Sequence, residues 1–528
     1  MSVVVSTPSG KLEGTDLGGC LEFRGVPFAT PPVEALRYRP PQKLEPWVGV
    51  RDATTFGSVA PQNDAASVVV RRALGGPTVQ SEDCLYLNVW TPAADMTRRP
   101  VLVWIHGGAF TVGTGGSELY NGTRMAQRGD VVVVTINYRL GAIGFLNADG
   151  LFGPDNGIVP NVGLHDQIEA LRWVRDHIEA FGGDPERVTI FGESAGGMSV
   201  GTLLGAPTAQ GLFHRAILQS GASHNVSTPA KATQVAKLFV EELGRDGGSP
   251  EAVRGAPVGA LLRAQAEVAP KLGVRLGILP WQPSIDGVLL PEAPLDAIRH
   301  GRVTPVPTIV GTNKDEWRLF LLGDSRIRSL DEAAFERRVR RTLEAIGTSD
   351  EDLVATAVAC YGPALGTPMQ RWCAFQSDRV FNAPAAVLAR ECAGASVDAY
   401  TYRFDWSPPM FGSYTGSFHA LEIPFVFGTL RSGWLRAFLG VTTDARSLSN
   451  RMQQAWIGFA REGQPIAENL PEWQPFTADR KRTMIFGPRF GVHEDVHAGA
   501  VRFFEPLIGP GLPSSSGAIA HGGGSTKG

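Results

Sequence analysis

One short glycine-rich segment, Gly192-Glu193-Ser194-Ala195-Gly196, has the spacing that exposes a serine hydroxyl on a sharp turn. It lies between an apolar run at 188–191 and a small-residue stretch at 195–204, which we predict to be a strand and a helix. Small neighbours let these elements approach closely, and a helix N-terminus favours developing negative charge. We therefore predict that Ser194 is a nucleophile for acyl transfer; a glycine-rich helix start without a catalytic role is the alternative.

A second glycine pair follows another predicted strand, the apolar run at 101–105. Backbone N–H groups of such a loop can converge on the oxyanion of a tetrahedral intermediate, and losing one donor costs ~3–4 kcal/mol of barrier. We predict that the N–H groups of Gly108, Ala109 and Ala195 form this oxyanion hole. His106 is predicted to make structural hydrogen bonds, and a plain Gly-Gly turn is the alternative explanation for the loop.

Strand and helix patterns alternate around these two loops. Apolar runs at 101–105, 131–138 and 188–191 are typical of strands that are buried on both faces. Apolar residues recur at helical spacing over 164–181, with Asn161 as the candidate N-cap. This alternation predicts an α/β fold with a large, mostly parallel central sheet flanked by helices. The second half of the chain is richer in helical patterns, which predicts helical insertions.

Further segments along almost the whole chain match one known family. They are Phe23-Arg24-Gly25-Val26-Pro27-Phe28-Ala29, Ser81-Glu82-Asp83-Cys84-Leu85-Tyr86-Leu87-Asn88-Val89, Asn137-Tyr138-Arg139 and Asn161-Val162-Gly163-Leu164-His165-Asp166-Gln167. With the two loops, they resemble the type-B carboxylesterase (carboxylesterase/cholinesterase-like) family of α/β-hydrolases, in the style of bacterial para-nitrobenzyl-esterase-type members. The resemblance implies an α/β-hydrolase fold and a serine hydrolase for small-molecule esters that needs no metal or cofactor.

In α/β-hydrolases an acid and then a histidine follow the nucleophile along the chain. A predicted strand at 306–310 leads to Asp315 and Glu316, and spacing alone does not choose between these carboxylates. The family pattern Asn-x-Asp-Glu implies Glu316. Among the later histidines, His419 lies in a segment, 416–428, that resembles the family's histidine loop. The resemblance therefore implies His419 as the general base, oriented by Glu316; solvated loop acids and a core histidine are the alternatives.

Three aromatic residues are candidates for the substrate pocket. Trp317 replaces the glycine that usually follows the family's catalytic glutamate, so its bulk is expected to alter the acid loop or line the pocket. Trp281 and Phe411 are placed near the pocket by the resemblance, with a core position as the alternative. The segment 61–80 holds no aromatic residue to bind a quaternary ammonium group, which argues against choline esters.

The cysteines and the start of the chain indicate a reducing compartment. Five cysteines occur without any Cys-x-x-Cys pair, so we predict buried free thiols rather than a metal site or a disulfide scaffold. Many relatives join the cysteine at position 84 to an upstream partner, but Ala60 stands where that partner would be. We expect Cys84 to be free. With no signal-peptide pattern at the start, the predicted location is the cytoplasm.

Composition bounds the remaining possibilities. The chain has 528 residues and 43% hydrophobic residues, enough for a large core, and its net charge of −3 argues against nucleic-acid binding. No apolar run is long enough to span a bilayer. We predict one catalytic domain over 1–507 and a flexible Gly/Ser-rich tail over 508–528. The oligomeric state is not indicated by the sequence.

These observations predict a serine carboxylesterase that forms an acyl-enzyme on Ser194, with His419 as base and Glu316 as orienting acid. Glu193, beside the nucleophile, is expected either to tune the field of the pocket or to be a solvated turn residue. The same residues could act on an amide, carbamate, lactone or polyester. A non-catalytic binding relative is the remote alternative, because such relatives lose parts of the triad that are all present here.

Overall fold

The computed structural model describes residues 1–63, 76–272, 279–321, 329–410, 412–431 and 435–508. This part of the chain forms one thirteen-stranded sheet with helices packed on it. The strands are β1 (Ser2–Thr7), β2 (Gly10–Asp16), β3 (Leu21–Pro27), β4 (Val50–Asp52), β5 (Tyr86–Thr91), β6 (Arg99–Ile105), β7 (Val132–Ile136), β8 (Gly183–Glu193), β9 (Arg215–Gln219), β10 (Thr308–Asn313), β11 (Ala399–Phe404), β12 (Arg482–Phe486) and β13 (Gly491–Glu494).

The helices lie between the strands and in the insertions of the second half. They are α1 (Thr123–Gly129), α2 (Gly141–Phe145), α3 (Asp149–Phe152), α4 (Val162–His177), α5 (Ala195–Leu204), α6 (Pro229–Leu243), α7 (Pro250–Gly255), α8 (Val258–Leu272), α9 (Pro294–Arg299), α10 (Glu332–Ala345), α11 (Glu351–Cys360), α12 (Pro368–Ser377), α13 (Ala383–Gly394), α14 (Gly412–Thr415), α15 (Ile423–Phe427), α16 (Leu435–Leu439), α17 (Thr443–Glu462) and α18 (Ala498–Phe504). A 3₁₀ turn at Glu316–Leu321 and a π-helical turn at Asp378–Asn382 bear on the site described below.

The strand order is β1-β2-β3-β5-β7-β6-β8-β9-β10-β11-β12-β13, with β4 paired to β2. Every neighbouring pair from β7 to β12 is parallel, whereas the pairs among β1, β2, β3, β5 and β7 and the pair β12–β13 are antiparallel. The prediction of a large, mostly parallel sheet flanked by helices is confirmed. Because parallel strands end at the same edge, the loops after β6, β8, β9, β10 and β11 meet there.

Both faces of the central strands are covered, which explains their uninterrupted apolar sequences. Every residue of β6 is buried. Alternate side chains of this strand enter different cores: Val101, Val103 and Ile105 pack on one face, whereas Leu102 and Trp104 pack on the other. A strand buried in this way shows no polar alternation in sequence, as expected for a parallel sheet with helices on both sides.

The predicted N-cap residue of α4 is confirmed by its position, but its side chain does not cap the helix. Asn161 immediately precedes α4, but its side chain makes no capping hydrogen bond, and its φ of 58° places it in the left-handed region. Its amide oxygen accepts the N–H of Ser284 at 2.8 Å, and its amide nitrogen donates to the Ser284 carbonyl at 2.8 Å. The side chain is therefore used to hold a distant segment. Asparagine tolerates left-handed backbone better than most residues, which suits this position.

The predicted tail, 508–528, lies outside the described residues from position 509 onward. Ile508, its first residue, packs partly buried against two of the hydrophobic clusters. In the part of the chain that the structure describes, no helix combines the length and the apolarity needed to cross a lipid bilayer.

A glycine in α5 allows β6 and α5 to approach. A Cβ atom at Gly196 would overlap the carbonyl oxygen of Ile105, and backbone cannot move aside as a flexible side chain can. We expect Gly196→Ala to destabilise the protein by roughly 3 kcal/mol, seen as a lower melting temperature. Gly255→Ala is the matched control, because a Cβ atom there meets nothing within 4 Å. Equal melting temperatures for the two variants would contradict this account of the packing.

Candidate active site

Ser194 occupies a strained turn between β8 and α5. Its φ of 56° and ψ of −125° lie in a region that non-glycine residues rarely adopt, at a cost of about 1–3 kcal/mol. Two backbone hydrogen bonds hold the turn: the Ser194 N–H donates to the Gln219 carbonyl at 2.9 Å, and its own carbonyl accepts the Met198 N–H at 2.8 Å. The turn therefore stays in place although it is strained, and it sits at the carboxyl edge of the sheet, as the sequence predicts.

Glu316 and His419 meet at the same edge of the sheet. The Glu316 residue starts a 3₁₀ turn after β10, and His419 lies in the loop after β11. The imidazole Nδ1 lies 2.7 Å from Glu316 Oε2, and both side chains are buried. The other oxygen of the carboxylate accepts the Asn313 N–H at 2.7 Å. With Nδ1–H donating to Glu316, the Nε2 atom carries the lone pair that a base needs.

The structure separates the two acidic candidates. The Asp315 carboxylate accepts the Ser417 N–H at 3.0 Å, and its backbone N–H donates to the Ser417 carbonyl at 2.9 Å. Arg318 pairs with the same carboxylate at 3.0 Å. Asp315 therefore fastens the histidine loop to the acid loop, whereas Glu316 contacts the imidazole of His419.

A second buried carboxylate, Glu422, connects the loop that holds His419 to the ends of β9 and β10. It accepts hydrogen bonds from Gln219 Nε2 at 3.0 Å and from Asn313 Nδ2 at 2.6 Å. Burial raises the pKa of its carboxyl group, and the charge of Glu316 adds to the effect. Sequence reasoning did not identify Glu422, because nothing in the local pattern distinguishes a buried glutamate from a solvated one.

Glu193 lies against the other side of the imidazole. Its Oε1 is 3.1 Å from His419 Nε2, within ion-pair distance but without hydrogen-bond geometry. Burial raises the pKa of the Glu193 carboxyl. For His419, burial lowers the pKa, but the negative charges of Glu193 and Glu316 outweigh that effect and raise it. The geometry therefore favours the prediction that Glu193 tunes the electrostatic field of the site over the alternative that it is a solvated turn residue.

The Ser194 side chain lies near that of Glu193, and no hydrogen bond joins the Ser194 hydroxyl to His419, two residues that the structure describes. A Cβ atom built on Gly107 would lie 3.0 Å from Glu193 Oε2 and 3.1 Å from the Cβ of Ser194. Glu193 therefore lies near the side chains of both His419 and Ser194. Catalytic hydrogen bonds are often long in free enzymes and shorten when substrate binds.

The loop after β6 passes through three consecutive left-handed residues. Gly108, Ala109 and Phe110 have φ values of 112°, 55° and 59°. A Cβ atom at Gly108 would overlap the Val112 carbonyl oxygen, so only glycine fits there. Ala195 carries the first N–H group of α5, which has no partner inside its own helix.

His106 is a structural residue, as the sequence predicts. Its Nδ1 lies 2.8 Å from the Gly107 carbonyl oxygen, and its ring stacks on Tyr138 with centroids 4.5 Å apart. Burial lowers the pKa of the imidazole to about 4, so the ring is neutral at physiological pH. The neutral ring buttresses the loop and carries no charge into the site.

Two phenylalanines cover the imidazole of His419. The ring centroid of Phe320 lies 5.2 Å from that of His419, and the centroid of Phe381 lies 4.8 Å from it. Phe320 is 46% exposed, so it forms a wall that substrate can touch. Neither residue was identified from the sequence: Phe381 lies on a π-helical turn that no periodicity signals, whereas Phe320 lies one turn after Glu316, a spacing that could have indicated it.

The three aromatic pocket candidates have different positions. Trp317 is partly buried, and its ring packs on Phe320 with centroids 4.8 Å apart, so it borders the site indirectly. Trp281 is 1% exposed and packs on Phe239 in a separate helical cluster. It is therefore a core residue, which was the alternative to a position near the pocket. Phe411 lies outside the described residues.

The cysteines carry no disulfide. All five are free thiols, and Cys84 is fully buried, with its pKa raised by burial. Cys360 is exposed, which corrects the prediction that all five are buried: it is the last residue of α11, on the solvent side of an insertion helix. Within the described ranges, no three His, Cys, Asp or Glu side chains are grouped in a way that could hold a metal ion.

The sequence profile of the carboxylesterase family matches residues 1–504. This chain belongs to the carboxylesterase family. Para-nitrobenzyl esterase of Bacillus subtilis (strain 168) is 38% identical over 497 residues, which cover 93% of this chain and 96% of that protein. Phenmedipham hydrolase of Pseudarthrobacter oxydans is 34% identical over 495 residues, which cover 92% of this chain and 96% of that protein.

Solved structures agree with this assignment. A carboxylesterase of Geobacillus stearothermophilus superposes with a TM-score of 0.83 at 38% identity, covering 95% of this chain and 99% of that chain. The α/β-hydrolase fold and the family resemblance predicted from the sequence are confirmed, and the protein is a carboxylic ester hydrolase.

The contact between Glu316 and His419 can be tested against its neighbour. We expect Glu316→Gln to lower kcat for a neutral ester on the order of 10⁴-fold, because an amide neither fixes the imidazole tautomer nor stabilises its positive charge. Asp315→Asn is the matched control, because an amide oxygen can still accept the Ser417 N–H; its loss of kcat should stay below about tenfold. Comparable losses in the two enzymes would contradict the assignment of Glu316.

The charge of Glu193 predicts a shift in the pH dependence of hydrolysis. Because a negative neighbour raises the pKa of His419, Glu193→Gln should lower that pKa. The base works when it is neutral, so the acid limb of the kcat/KM profile should move to lower pH, by on the order of one unit. Glu186→Gln, a change at an exposed position of the same strand, should leave the limb in place. An unmoved limb, or one moved to higher pH, would rule out this coupling.

Proposed function

We propose that this carboxylic ester hydrolase works through an acyl-enzyme on Ser194. His419 Nε2 takes the proton from the Ser194 hydroxyl as its oxygen attacks the ester carbonyl carbon. Glu316 keeps the imidazole oriented and stabilises the positive charge that forms on it. The protonated His419 then gives its proton to the departing alcohol oxygen, and the carbonyl reforms as the acyl-enzyme.

The N–H groups of Gly108, Ala109 and Ala195 stabilise the oxyanion in this proposal. They come from two loops at the carboxyl edge of the sheet, one with successive positive φ values and one at the start of α5. Preorganised backbone donors need no rearrangement as negative charge develops, and this is usually a large part of acyl-transfer catalysis. The positive end of the α5 dipole acts in the same direction.

The second half of the reaction reverses the roles. Water takes the place of the alcohol, and His419 removes a proton from it as it attacks the acyl carbon. Collapse of the second tetrahedral intermediate releases the carboxylic acid and returns the proton to the Ser194 oxygen. Every proton in this cycle passes through one imidazole, and no step calls for a metal ion or an organic cofactor.

The observation that carries the proposal is the 2.7 Å contact between His419 Nδ1 and Glu316 Oε2, buried beside the strained turn of Ser194. The contact orients the imidazole, and Glu193, the residue before Ser194, lies 3.1 Å from the same ring. The names of the relatives, para-nitrobenzyl esterase and phenmedipham hydrolase, support small molecules as substrates. The apolar walls at Phe320 and Phe381 favour an ester with an apolar portion.

We also propose that the enzyme works in the cytoplasm. Its five cysteines are all free, and Cys84 and Cys392 are completely buried as thiols. Unpaired buried cysteines are typical of proteins that fold in a reducing compartment.

The nucleophile can be identified by covalent labelling. An organophosphate should add one equivalent to the wild-type enzyme and abolish turnover, and peptide mass mapping should locate the adduct on Ser194, because an activated serine attacks phosphorus as it attacks a carbonyl. Ser194→Ala should take no label and lose ester turnover on the order of 10⁶-fold. Ser447→Ala, at an exposed position of α17, should behave as wild type. Unchanged turnover in Ser194→Ala would refute the proposal.

A further inference from the structure

Three basic side chains are grouped beside the site, and the proposed mechanism uses none of them. His224 lies in the loop after β9, Lys231 lies in the first turn of α6, and Arg379 lies in the π-helical turn between α12 and α13. The charge of Arg379 acts on both other side chains. We refer to His224, Lys231 and Arg379 as the basic cluster.

The elements that carry the basic cluster also form the walls of the site. The turn that holds Arg379 supplies Phe381, which packs on the imidazole of His419. The loop that holds His224 packs along α5: Ser223 Oγ donates to the Gly201 carbonyl at 2.9 Å. The basic cluster therefore adjoins the space beside the nucleophile and its base.

In the described part of the chain, no carboxylate balances these charges. Neither Lys231 nor Arg379 has an acidic oxygen within 4.0 Å there, and Arg379 Nε donates to a neutral amide oxygen, Gln376 Oε1, at 2.8 Å. Elsewhere in the structure a buried guanidinium has an acidic partner, as Arg139 has in Asp166 at 2.6 Å. Two charges that are partly removed from water without a partner are costly, and proteins seldom retain them outside binding sites.

Two polar atoms next to these charges also lack partners. His224 Nδ1 and Asn225 Oδ1 are buried and have no hydrogen bond in the structure. A neutral imidazole that carries its proton on Nδ1 can donate it to a bound anion, whereas Asn225 Oδ1 only accepts hydrogen bonds and needs a donor. Lys231 is also placed at the positive end of the α6 dipole, where a cation is unfavourable and an anion is favoured.

The electrostatics of the basic cluster agree with this geometry. Burial lowers the pKa of Arg379 to about 10, and burial together with the charge of Arg379 lowers the pKa of Lys231 to about 8. The same two causes lower the pKa of His224 to about 3. At neutral pH the group therefore consists of two cations that repel each other and one neutral imidazole. An anion placed among them would relieve the repulsion.

We infer that the basic cluster binds an ionised carboxylate of the substrate, so that the enzyme favours esters that carry a second, free carboxyl group. A guanidinium binds a carboxylate through two parallel hydrogen bonds, and an ammonium group adds a third contact. This inference rests on the proposed function and specifies its substrate class. The charged group can belong to the acyl portion or to the alcohol portion of the ester, and the two arms of the experiment separate these cases.

The test compares esters that differ in one charge. In the acyl arm, the mono-4-nitrophenyl ester of adipic acid is measured beside 4-nitrophenyl hexanoate. In the alcohol arm, 4-carboxyphenyl butyrate is measured beside its methyl ester. We expect a higher kcat/KM for the charged ester in at least one arm. Raising the ionic strength from about 0.01 M to about 1 M should reduce the ratio of charged to neutral kcat/KM, because salt screens the attraction.

Variants of the basic cluster decide whether it causes that preference. Arg379→Gln and Lys231→Gln should each lower the ratio of charged to neutral kcat/KM about tenfold. Lys237→Gln removes the same charge from an exposed position of the same helix and should leave the ratio unchanged. If Arg379→Gln does not fold, Lys231→Glu provides the second measurement, and its reversed charge should lower the ratio further than Lys231→Gln does.

Two results would overturn the inference: no preference for the charged ester in either arm, or a preference that the variants of the basic cluster leave intact. Either result, obtained with an enzyme that still hydrolyses the neutral esters and is labelled at Ser194, would reject the carboxylate site while the proposed function stands. Failure to hydrolyse any of the four esters would reject the proposed function itself.

Discussion

The hydrogen bond between the Glu316 carboxylate and the His419 imidazole is the interaction on which the site depends. It joins loops that follow β10 and β11, and these strands are neighbours in the sheet, so the parallel pairing brings together residues that are 103 positions apart. Around this bond, Asp315 fastens the two loops through the backbone of Ser417, and Glu422 fixes the same region through Asn313. Three carboxylates therefore fix the position of the His419 imidazole, and Glu316 is the one that contacts its Nδ1 atom.

The strained backbone of Ser194 is stabilised by the elements around it. The backbone of Ser194 is unfavourable by itself, but hydrogen bonds to Gln219 and Met198 connect it to β9 and α5. Glycine at position 196 allows α5 to lie directly on the end of β6, and both faces of β6 are buried in large apolar clusters. A core of this size can absorb a strain of a few kcal/mol without losing the fold.

What could be predicted from the sequence is what short segments determine. The turn at Ser194, the glycine loop at Gly108 and the buried central strands all have local patterns, and the structure has them where they were expected. The choice between Asp315 and Glu316 needed either the family pattern or the fold, because neighbouring carboxylates differ only in where the turn directs them. Phe381 and the basic cluster could not be predicted, since they come from insertion segments whose proximity to the site arises only when the helices pack. Asn161 occupies the N-cap position that the sequence predicts, but its hydrogen bonds to Ser284 could not be predicted, because that partner is distant along the chain.

The π-helical turn at Asp378–Asn382 has a consequence for how this site can diverge. In it, the Ala383 N–H donates to the Asp378 carbonyl, five residues back rather than four, so the turn holds one more residue than an α-helix would. Loss of a single codon here would remove the extra residue and restore regular α-helix, so that the flanking helices keep their positions while the residues of the turn change theirs. Arg379 and Phe381 would then be replaced at the wall by their neighbours. The residues at this wall of the site can therefore change through a single insertion or deletion, which a comparison of residue types at aligned positions does not detect.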